Sequence, residues 1–314
     1  MSARPGDDAP LSIVIPTRNR LGFLQECLAS IMSGPPTWRV IIVDDASDDG
    51  TEEWLGALND ARVETVTLPD RSGAAAARNQ GLQRVDTPLV MFMDDDDLLI
   101  SAAADELAGR LLAQPTAVAA VGRSVDLDEQ GQCQPRLGPS QPRVDTVFAE
   151  VLAGWCPSQG AAVFRTEVIR AAGGWSTNVT VPCEDYELWL RIAQVGPVAL
   201  SPAVAVQFRI HENQRTWHEE EAMHCVAKEL SRNAARRSKA PLKAARVHLA
   251  AWNRYRAASL NDRGHLLAAA ASYLAAMLLS PELRRSVVMG PDMRDELRRI
   301  AGEIRRRRPL TKTG

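Results

Sequence analysis

The first third of the chain alternates short apolar runs, rich in β-branched residues, with segments whose apolar residues recur at helical spacing. The apolar runs predict four strands, at 11–16, 40–43, 63–68 and 89–93. The periodic segments predict three helices, over 21–32, from 51 onward and over 73–85. Strands that alternate with helices are typical of βαβ units, so the pattern predicts an α/β fold with a mainly parallel sheet.

The pattern changes in the later part of the chain. It predicts a strand at 118–125, a Gln-, Gly- and Pro-rich loop at 126–143 and a short helix near 144–152. A strand at 160–164, a helix over 184–195 with a core face of Leu188, Leu190 and Ile192, and a strand at 204–210 are predicted to follow. We therefore predict a flexible N-terminus at 1–10, a domain over 11–218 and a basic α-helical extension over 219–314.

Composition and charge narrow the protein class. The 314 residues are 45% hydrophobic, enough for a full α/β core. The longest apolar run, 266–279, is shorter than the roughly 20 residues that span a bilayer, and no secretory signal pattern opens the chain, so we expect a cytoplasmic protein. Residues 222–314 hold 20 Lys or Arg against 7 Asp or Glu, which leaves the first part of the chain acidic and argues against nucleic-acid binding there.

Four consecutive aspartates, Asp94 to Asp97, follow the strand predicted at 89–93. We call them the aspartate run. Carboxylates this close repel one another unless a cation holds them, and such oxygen-rich clusters suit Mg²⁺ or Mn²⁺. The alternative is a solvated acidic turn that follows a strand by chance.

The strands predicted at 11–16 and 40–43 also end in polar residues, Thr17 and the Asp44-Asp45 pair. In an open α/β sheet, ligands bind at the carboxyl ends of the strands. Three such ends therefore predict one crevice with a nucleotide site.

Seven motifs follow one another in a family's order: Ile13-Val-Ile-Pro-Thr-Arg-Asn19, Val43-Asp-Asp-Ala-Ser-Asp-Asp-Gly-Thr51, Ala77-Arg-Asn-Gln-Gly81, Phe92-Met-Asp-Asp-Asp-Asp-Leu98, Gly173-Gly-Trp175, Glu184-Asp-Tyr-Glu-Leu-Trp-Leu-Arg191 and Phe208-Arg-Ile-His211. In this order, over residues 11 to 215, the chain resembles the family 2 inverting glycosyltransferases of GT-A fold. The resemblance implies transfer of a sugar from a nucleoside diphosphate sugar to an acceptor hydroxyl, with inversion at the anomeric carbon.

The resemblance also implies roles for the donor side of the site. Thr17 and Asp45 would contact the nucleobase or ribose, with Asp45 accepting an imide N–H such as that of uracil. Arg78 would face the base or the diphosphate. In the family's D-x-D motif, Asp96 would contact the metal, Mn²⁺ or Mg²⁺, and Asp94 or Asp97 the ribose or a water. The family usually has a small residue where this chain has Asp95, which leaves open which aspartate binds the metal.

On the acceptor side, Asp185 matches the position of the general base, with Glu184 beside it as a substrate contact and the alternative base. His211 matches a position that helps to hold the metal or diphosphate; the alternative is an ordinary hydrogen-bonded histidine. Trp175 and Trp155 lie next to loops and are candidates for sugar stacking or for the core.

Ordinary structural roles are predicted for several other residues. Capping of the helix that begins at Thr51 is an alternative role for Asp44 and the preferred role for Asp48. Glu187 and Arg191 have the spacing of a surface ion pair on a helix, and Trp189 is expected in the core.

The basic extension has an apolar stripe of Met293, Leu297, Ile300 and Ile304 among arginines. This pattern is typical of a helix that contacts anionic lipid, which would suit a lipid-linked acceptor. The alternative is packing on the catalytic domain or on a second subunit of a homodimer.

The sequence thus predicts a metal-dependent inverting glycosyltransferase, with a UDP-sugar favoured and a glycan or lipid-linked acceptor. One rival is a sugar nucleotidyltransferase, but Thr17-Arg-Asn-Arg20 contains no glycine-rich phosphate loop. The other is an inactive glycan-binding or scaffolding module, with a nucleic-acid-binding tail. The tail has only three aromatic residues that could stack on bases, Trp252, Tyr255 and Tyr273, so no nucleic-acid partner is expected.

Overall fold

A computed structural model describes residues 11–135, 151, 156–177 and 184–211. The chain divides into two compact units, one made of 1–148 with 156–216 and the other of 149–155 with 217–314. Trp155 and the extension over 219–314 lie outside the described residues, as does the predicted helix near 144–152 except for its residue 151. The predicted domain boundary therefore stays a prediction.

The described residues form nine strands in one sheet. The strands are β1 (Leu11–Thr17), β2 (Arg39–Asp44), β3 (Val63–Thr67), β4 (Leu89–Phe92), β5 (Leu98–Leu99), β6 (Ala119–Leu127), β7 (Cys133–Pro135), β8 (Ala162–Arg165) and β9 (Val198–Arg209). The helices are α1 (Leu21–Met32), α2 (Thr51–Ala57), α3 (Ala74–Arg84), α4 (Ser101–Leu112), α5 (Thr166–Ala171) and α6 (Glu184–Ile192), and a 3₁₀ turn spans Gln159–Ala161.

The sheet runs in the order β3-β2-β1-β4-β8-β6-β9-β5, with β7 paired to β6. The first four strands are parallel, which confirms the predicted βαβ architecture. The second half is mixed: β8 pairs antiparallel with β4 and β6, whereas β9 runs parallel to β6. Successive strands are added on one side of β1 up to β3 and on its other side from β4 onward. In open α/β sheets, ligands bind at such a switch point, beside the carboxyl ends of the two neighbouring strands.

Apolar side chains explain the close packing of the parallel strands. β1, β2 and β4 are buried on both faces, as expected for strands covered by helices on each side. Gly81 lets α3 approach the sheet, because a Cβ there would lie 2.3 Å from Val14 Cγ1. The predicted core residues Leu188, Leu190, Ile192 and Trp189 are all buried.

Several elements differ from the predictions, among them α4, α5 and the short strand β5, which were not predicted. The loop predicted at 126–143 contains β7, which pairs back onto the end of β6 after a turn at Gly131. Strand β9 begins at Val198 rather than at Val204. Its first part was hidden because Ser201-Pro-Ala203 shifts the register against β6, which interrupts the apolar alternation.

Candidate active site

The carboxyl ends of β1, β2 and β4 meet as the sequence predicts. The Asp45 backbone N–H donates to the Thr17 carbonyl oxygen at 2.9 Å, which joins β2 to β1. The Thr17 hydroxyl donates to Asp95 Oδ2 at 2.7 Å, which joins β1 to the aspartate run. These residues are buried, so the crevice has a rigid polar floor.

Each aspartate of the run has its own partners. Arg78 Nη2 donates to Asp94 Oδ1 at 2.5 Å. Asp96 Oδ2 lies 3.0 Å from His211 Nε2 and also pairs with Arg20. Asp97 Oδ1 accepts the backbone N–H of Arg209 at 3.0 Å. The run therefore gathers partners from α3, from the segment between β1 and α1, and from the end of β9 and the residues just after it.

The run includes a group of carboxylates that could hold a metal ion. One oxygen from each of Asp94, Asp96 and Asp97 lies within 4.8 Å of the others. Carboxylate oxygens are the ligands that Mg²⁺ and Mn²⁺ prefer, so the chemistry of this donor set fits the predicted ion. The structure places His211 beside Asp96, with its ring packed 5.1 Å from that of Phe23; its role at the metal or diphosphate stays a prediction.

Asp95 lies outside the metal-ligand group and points to different partners. Its carboxylate accepts from the Thr17 hydroxyl and from Arg20. Burial, together with the charge of Asp96, raises the pKa of Asp95 to about 6, although Arg20 and Thr17 act in the opposite direction. The residue that departs from the family pattern is thus one of the two aspartates that pair with Arg20.

The two carboxylates at the end of β2 stabilise loops. Asp45 accepts the backbone N–H groups of Ser72 at 2.6 Å and Gly73 at 2.9 Å, just before α3 begins. Asp44 accepts the Ser47 N–H at 3.2 Å within the turn after β2. The prediction that Asp44 and Asp48 cap α2 is wrong, because Asp49 accepts both the N–H and the hydroxyl of Thr51.

Arg78 is a buried guanidinium surrounded by acidic side chains. Besides Asp94, its Nη1 lies 3.3 Å from Glu184 Oε1 and 3.8 Å from Asp185 Oδ1. Burial acts to lower its pKa, but the carboxylates of Asp94, Asp185 and Glu184 outweigh that effect and raise it. The prediction that Arg78 faces the base or diphosphate needs correction, since the side chain is enclosed and links the aspartate run to α6.

Helix α6 presents the predicted base at its first turn. The Asp185 side chain is 36% exposed, whereas Glu184 is 13% exposed. Buried Leu188 and Ile192 anchor the helix on its other side. The Trp189 indole N–H donates to the Pro157 carbonyl at 3.2 Å, which fixes the helix further. Of the two candidate bases, Asp185 is the one with more room to meet an acceptor.

Trp175 is part of the core and not a stacking surface. Its ring is 2% exposed, and the Arg78 guanidinium carbon lies 4.4 Å from the ring centroid. Asn79 holds its backbone, donating to the Trp175 carbonyl and accepting the Trp175 N–H, each at 2.8 Å. Because no face of the ring is open, the predicted stacking of a sugar on Trp175 is contradicted.

The structure adds three polar residues that the sequence reasoning missed. Arg20 pairs with Asp95 and Asp96, Arg209 donates from Nε to the Asp96 carbonyl oxygen at 3.0 Å, and Asn79 holds Trp175. The signal for Arg20 was the aspartate run itself, because four adjacent carboxylates require nearby cations. The predicted ion pair between Glu187 and Arg191 is confirmed.

Comparison with known proteins agrees with this geometry. The model of the family described as glycosyl transferase family 2 matches residues 12–173. This chain belongs to that family. Within the described part of the chain, no helix has the length and apolar character needed to cross a bilayer.

Relatives of this glycosyltransferase include two bacterial enzymes. A pre-mycofactocin glycosyltransferase of Mycobacterium tuberculosis is 29% identical over 216 residues, which cover 66% of this chain and 44% of the relative. The UDP-Glc:alpha-D-GlcNAc-diphosphoundecaprenol beta-1,3-glucosyltransferase WfgD of Escherichia coli is 29% identical over 96 residues, which cover 30% of this chain and 38% of the relative. The matches thus span less than half of either relative.

Solved structures of S. aureus TarS share the fold. TarS 1–349 superposes with a TM-score of 0.62 at 15% identity, covering 85% of this glycosyltransferase and 80% of TarS 1–349. Its complex with UDP-GlcNAc gives a TM-score of 0.57 at 14% identity, covering 94% and 91%. The likeness confirms the predicted GT-A fold.

Proposed function

We propose that this chain transfers a sugar from a nucleoside diphosphate sugar to an acceptor hydroxyl during bacterial glycan synthesis. The observation that carries the proposal is the link between two groups of carboxylates: Arg78 contacts Asp94 of the aspartate run and also Asp185 on α6. Two chemically different tasks, holding a diphosphate and accepting a proton, thereby share one crevice.

UDP is the favoured nucleotide. WfgD is named for UDP-Glc, and TarS has been solved with UDP-GlcNAc. In this chain, Thr17 and Asp45 lie at the ends of neighbouring strands, where nucleotides bind in open α/β sheets. Asp45 accepts hydrogen bonds from the turn at Ser72 and Gly73. We propose that it positions this turn beside the nucleotide, in addition to the predicted contact with the base.

Asp96, with Asp94 and Asp97, would hold Mn²⁺ or Mg²⁺, and His211 would orient Asp96. When bound, such an ion supplies a Lewis acid that neutralises the charge gathering on the departing diphosphate. This arrangement explains why the run retains hydrogen-bonded carboxylates in a partly buried place, where unpaired charge is costly.

Asp185 would act as the general base. It accepts the proton of the acceptor hydroxyl while the acceptor oxygen forms a bond to the anomeric carbon. The bond from that carbon to the diphosphate oxygen breaks, and the nucleoside diphosphate leaves with the electron pair. Attack from the face opposite the leaving group inverts the anomeric centre. Arg78 holds Asp185 in line by pairing with it.

A lipid-linked acceptor would suit the basic composition of residues 222–314. Positive segments with apolar residues bind anionic lipid through charge and buried area. We expect sedimentation of the full chain with anionic liposomes at low salt, and release as salt screens the attraction. Equal sedimentation of a chain that lacks residues 290–314 would contradict this part of the proposal.

A donor panel tests the proposed function. UDP-, GDP- and dTDP-sugars are added to the protein with Mn²⁺, and the melting temperature is recorded for each, because ligands that bind the folded state raise it. We expect UDP-sugars to give the largest rise and to release UDP on incubation. No stabilisation by any nucleotide sugar, in a folded protein, would instead favour the glycan-binding or scaffolding module.

A further inference from the structure

Arg20 occupies the part of the aspartate run where a metal ion is expected. Its Nη1 lies 3.1 Å from Asp95 Oδ1 and also pairs with Asp96 Oδ2. A single guanidinium nitrogen therefore lies between two adjacent carboxylates. One of them, Asp96, belongs to the group of possible metal ligands, and the other, Asp95, does not.

The contact with Asp96 is a shared one. The same oxygen, Oδ2, lies 3.0 Å from His211 Nε2. A divalent cation bound by this carboxylate has to compete with positive charge and hydrogen-bond donors already present. Arg20 carries a full positive charge, and its pairing with Asp96 opposes metal binding most directly.

The contact with Asp95 is different in kind. Asp95 uses Oδ2 for the Thr17 hydroxyl and Oδ1 for Arg20. Asp95 is buried and its position is fixed by Thr17. Because it is not one of the possible metal ligands, it can stay paired with the guanidinium when a metal binds. Arg20 can therefore leave Asp96 without losing its last anionic partner.

The surroundings of Arg20 allow such a movement. Its backbone is fixed, since its carbonyl accepts the Leu24 N–H in the first turn of α1 at 3.0 Å. Its side chain, however, is 27% exposed at the crevice. A long flexible side chain on a fixed backbone can exchange one carboxylate for another without disturbing the fold.

We propose that Arg20 is a built-in counter-ion of the aspartate run, which holds Asp96 in the metal-free protein and retreats to Asp95 when a divalent cation binds. The inference rests on the metal site of the proposed function. It explains why this chain has an aspartate at 95, where the family usually has a small residue: the extra carboxylate retains the displaced guanidinium.

The test measures Mn²⁺ affinity without any donor, by the loss of the free-ion electron paramagnetic resonance signal on titration. Arg20→Met removes the competing charge and keeps an unbranched side chain. We expect about tenfold tighter Mn²⁺ binding, because a contacting charge has been removed from a partly buried site. Unchanged or weaker binding in a folded Arg20→Met protein overturns the proposal, as does an absence of Mn²⁺ binding in both proteins.

Arg18→Met is the matched control. Arg18 carries the same charge two residues earlier and makes no ion pair within the part of the chain that the structure describes. We expect its substitution to change Mn²⁺ affinity by less than about twofold, because the partly buried Arg18 makes no ion pair with the aspartate run in the described part of the chain, and charge that acts without such a contact is screened. Equal tightening in both variants would mean that net charge, and not the contact with Asp96, sets the affinity, which contradicts the proposal.

A second arm uses Asp95→Asn, which can still accept the Thr17 hydroxyl but no longer attracts Arg20 by charge. We expect Asp95→Asn to weaken Mn²⁺ binding in the wild-type background. The same substitution should weaken it less in the Arg20→Met background, because Arg20 is then no longer there to compete for Asp96. Equal losses in the two backgrounds contradict the retreat to Asp95. If Arg20→Met does not fold, Arg20→Gln takes its place.

The donor panel separates this inference from the proposed function. Binding of nucleotide sugar with no effect of Arg20→Met on Mn²⁺ affinity would remove the inference alone. Tighter Mn²⁺ binding with no nucleotide-sugar binding would leave the inference and remove the proposed function.

Discussion

Arg20 and Arg78 both neutralise the aspartate run, but the protein encloses them to very different degrees. The Arg78 side chain is 2% exposed and pairs with Asp94 of the run and with α6. The Arg20 side chain is 27% exposed and, among the described residues, pairs only with Asp95 and Asp96. Separating a buried charge from its partners costs several kcal/mol, so it stays in place. A partly exposed charge is screened by water, so another cation can replace it at lower cost. We therefore expect Arg20 to exchange with a bound cation, and Arg78, which pairs with the proposed base Asp185, to stay in place.

Removal of divalent metal should have the largest effect on activity, through the aspartate run. We expect a chelator to abolish transfer, because the charge on the departing diphosphate then has no Lewis acid to stabilise it. Added Mn²⁺ or Mg²⁺ should restore the rate, measured as release of nucleoside diphosphate. Full activity in a chelator, with no metal found in the protein by mass spectrometry, would contradict the role given to Asp94, Asp96 and Asp97.

Substitution of each arginine by methionine compares the two cations in stability. Arg78→Met leaves Asp94, Glu184 and Asp185 without their shared buried partner, so we expect a loss of about 3 kcal/mol in the free energy of unfolding. Arg20→Met should cost about 1 kcal/mol, since solvent replaces part of its contact. Urea denaturation measures both. Equal losses would mean that the difference in exposure has no energetic consequence.

The smallest expected effect is on the reactivity of Cys27, which lies beneath the aspartate run. Cys27 lies on α1, fully buried, and its thiol donates to the Asp94 carbonyl oxygen at 3.5 Å. Burial and the neighbouring carboxylates raise the pKa of this thiol well above its usual value. We expect iodoacetamide to label exposed Cys133 in the native protein and Cys27 only after unfolding, as measured by peptide mass spectrometry. Rapid native labelling of Cys27 would show that the floor opens.

The features that followed from local patterns were predicted well. Helix α1 spans Leu21–Met32 as predicted, because its apolar residues repeat at one clear period. The aspartate run follows β4 because an apolar run ends abruptly in charge. The order of motifs made His211 a candidate site residue, but its contact with Asp96, 115 positions away, came from the structure.

Contacts between distant residues account for what was missed. The pair of Arg20 with Asp95 joins segments 75 positions apart and leaves no periodic trace. The burial of Trp175, which follows α5, depends on Asn79 and Arg78 on α3. Gly174 also takes part, at a positive φ of 71°, where a Cβ would lie 2.5 Å from Asn79 Oδ1. Such packing follows from the assembled fold and not from the spacing of residues along one element.

The central claim is that the aspartate run and Asp185 perform separate tasks in one transfer reaction, holding the diphosphate and accepting the proton. The most direct test compares donor binding and turnover in Asp185→Asn and Asp96→Asn, each with Mn²⁺. Asp185→Asn should bind donor and melt like the wild type while turnover falls by roughly 10² to 10⁴, the usual contribution of a positioned base. Asp96→Asn should lose metal-dependent donor binding as well. Near wild-type turnover in Asp185→Asn would contradict the claim and make Glu184 the candidate base.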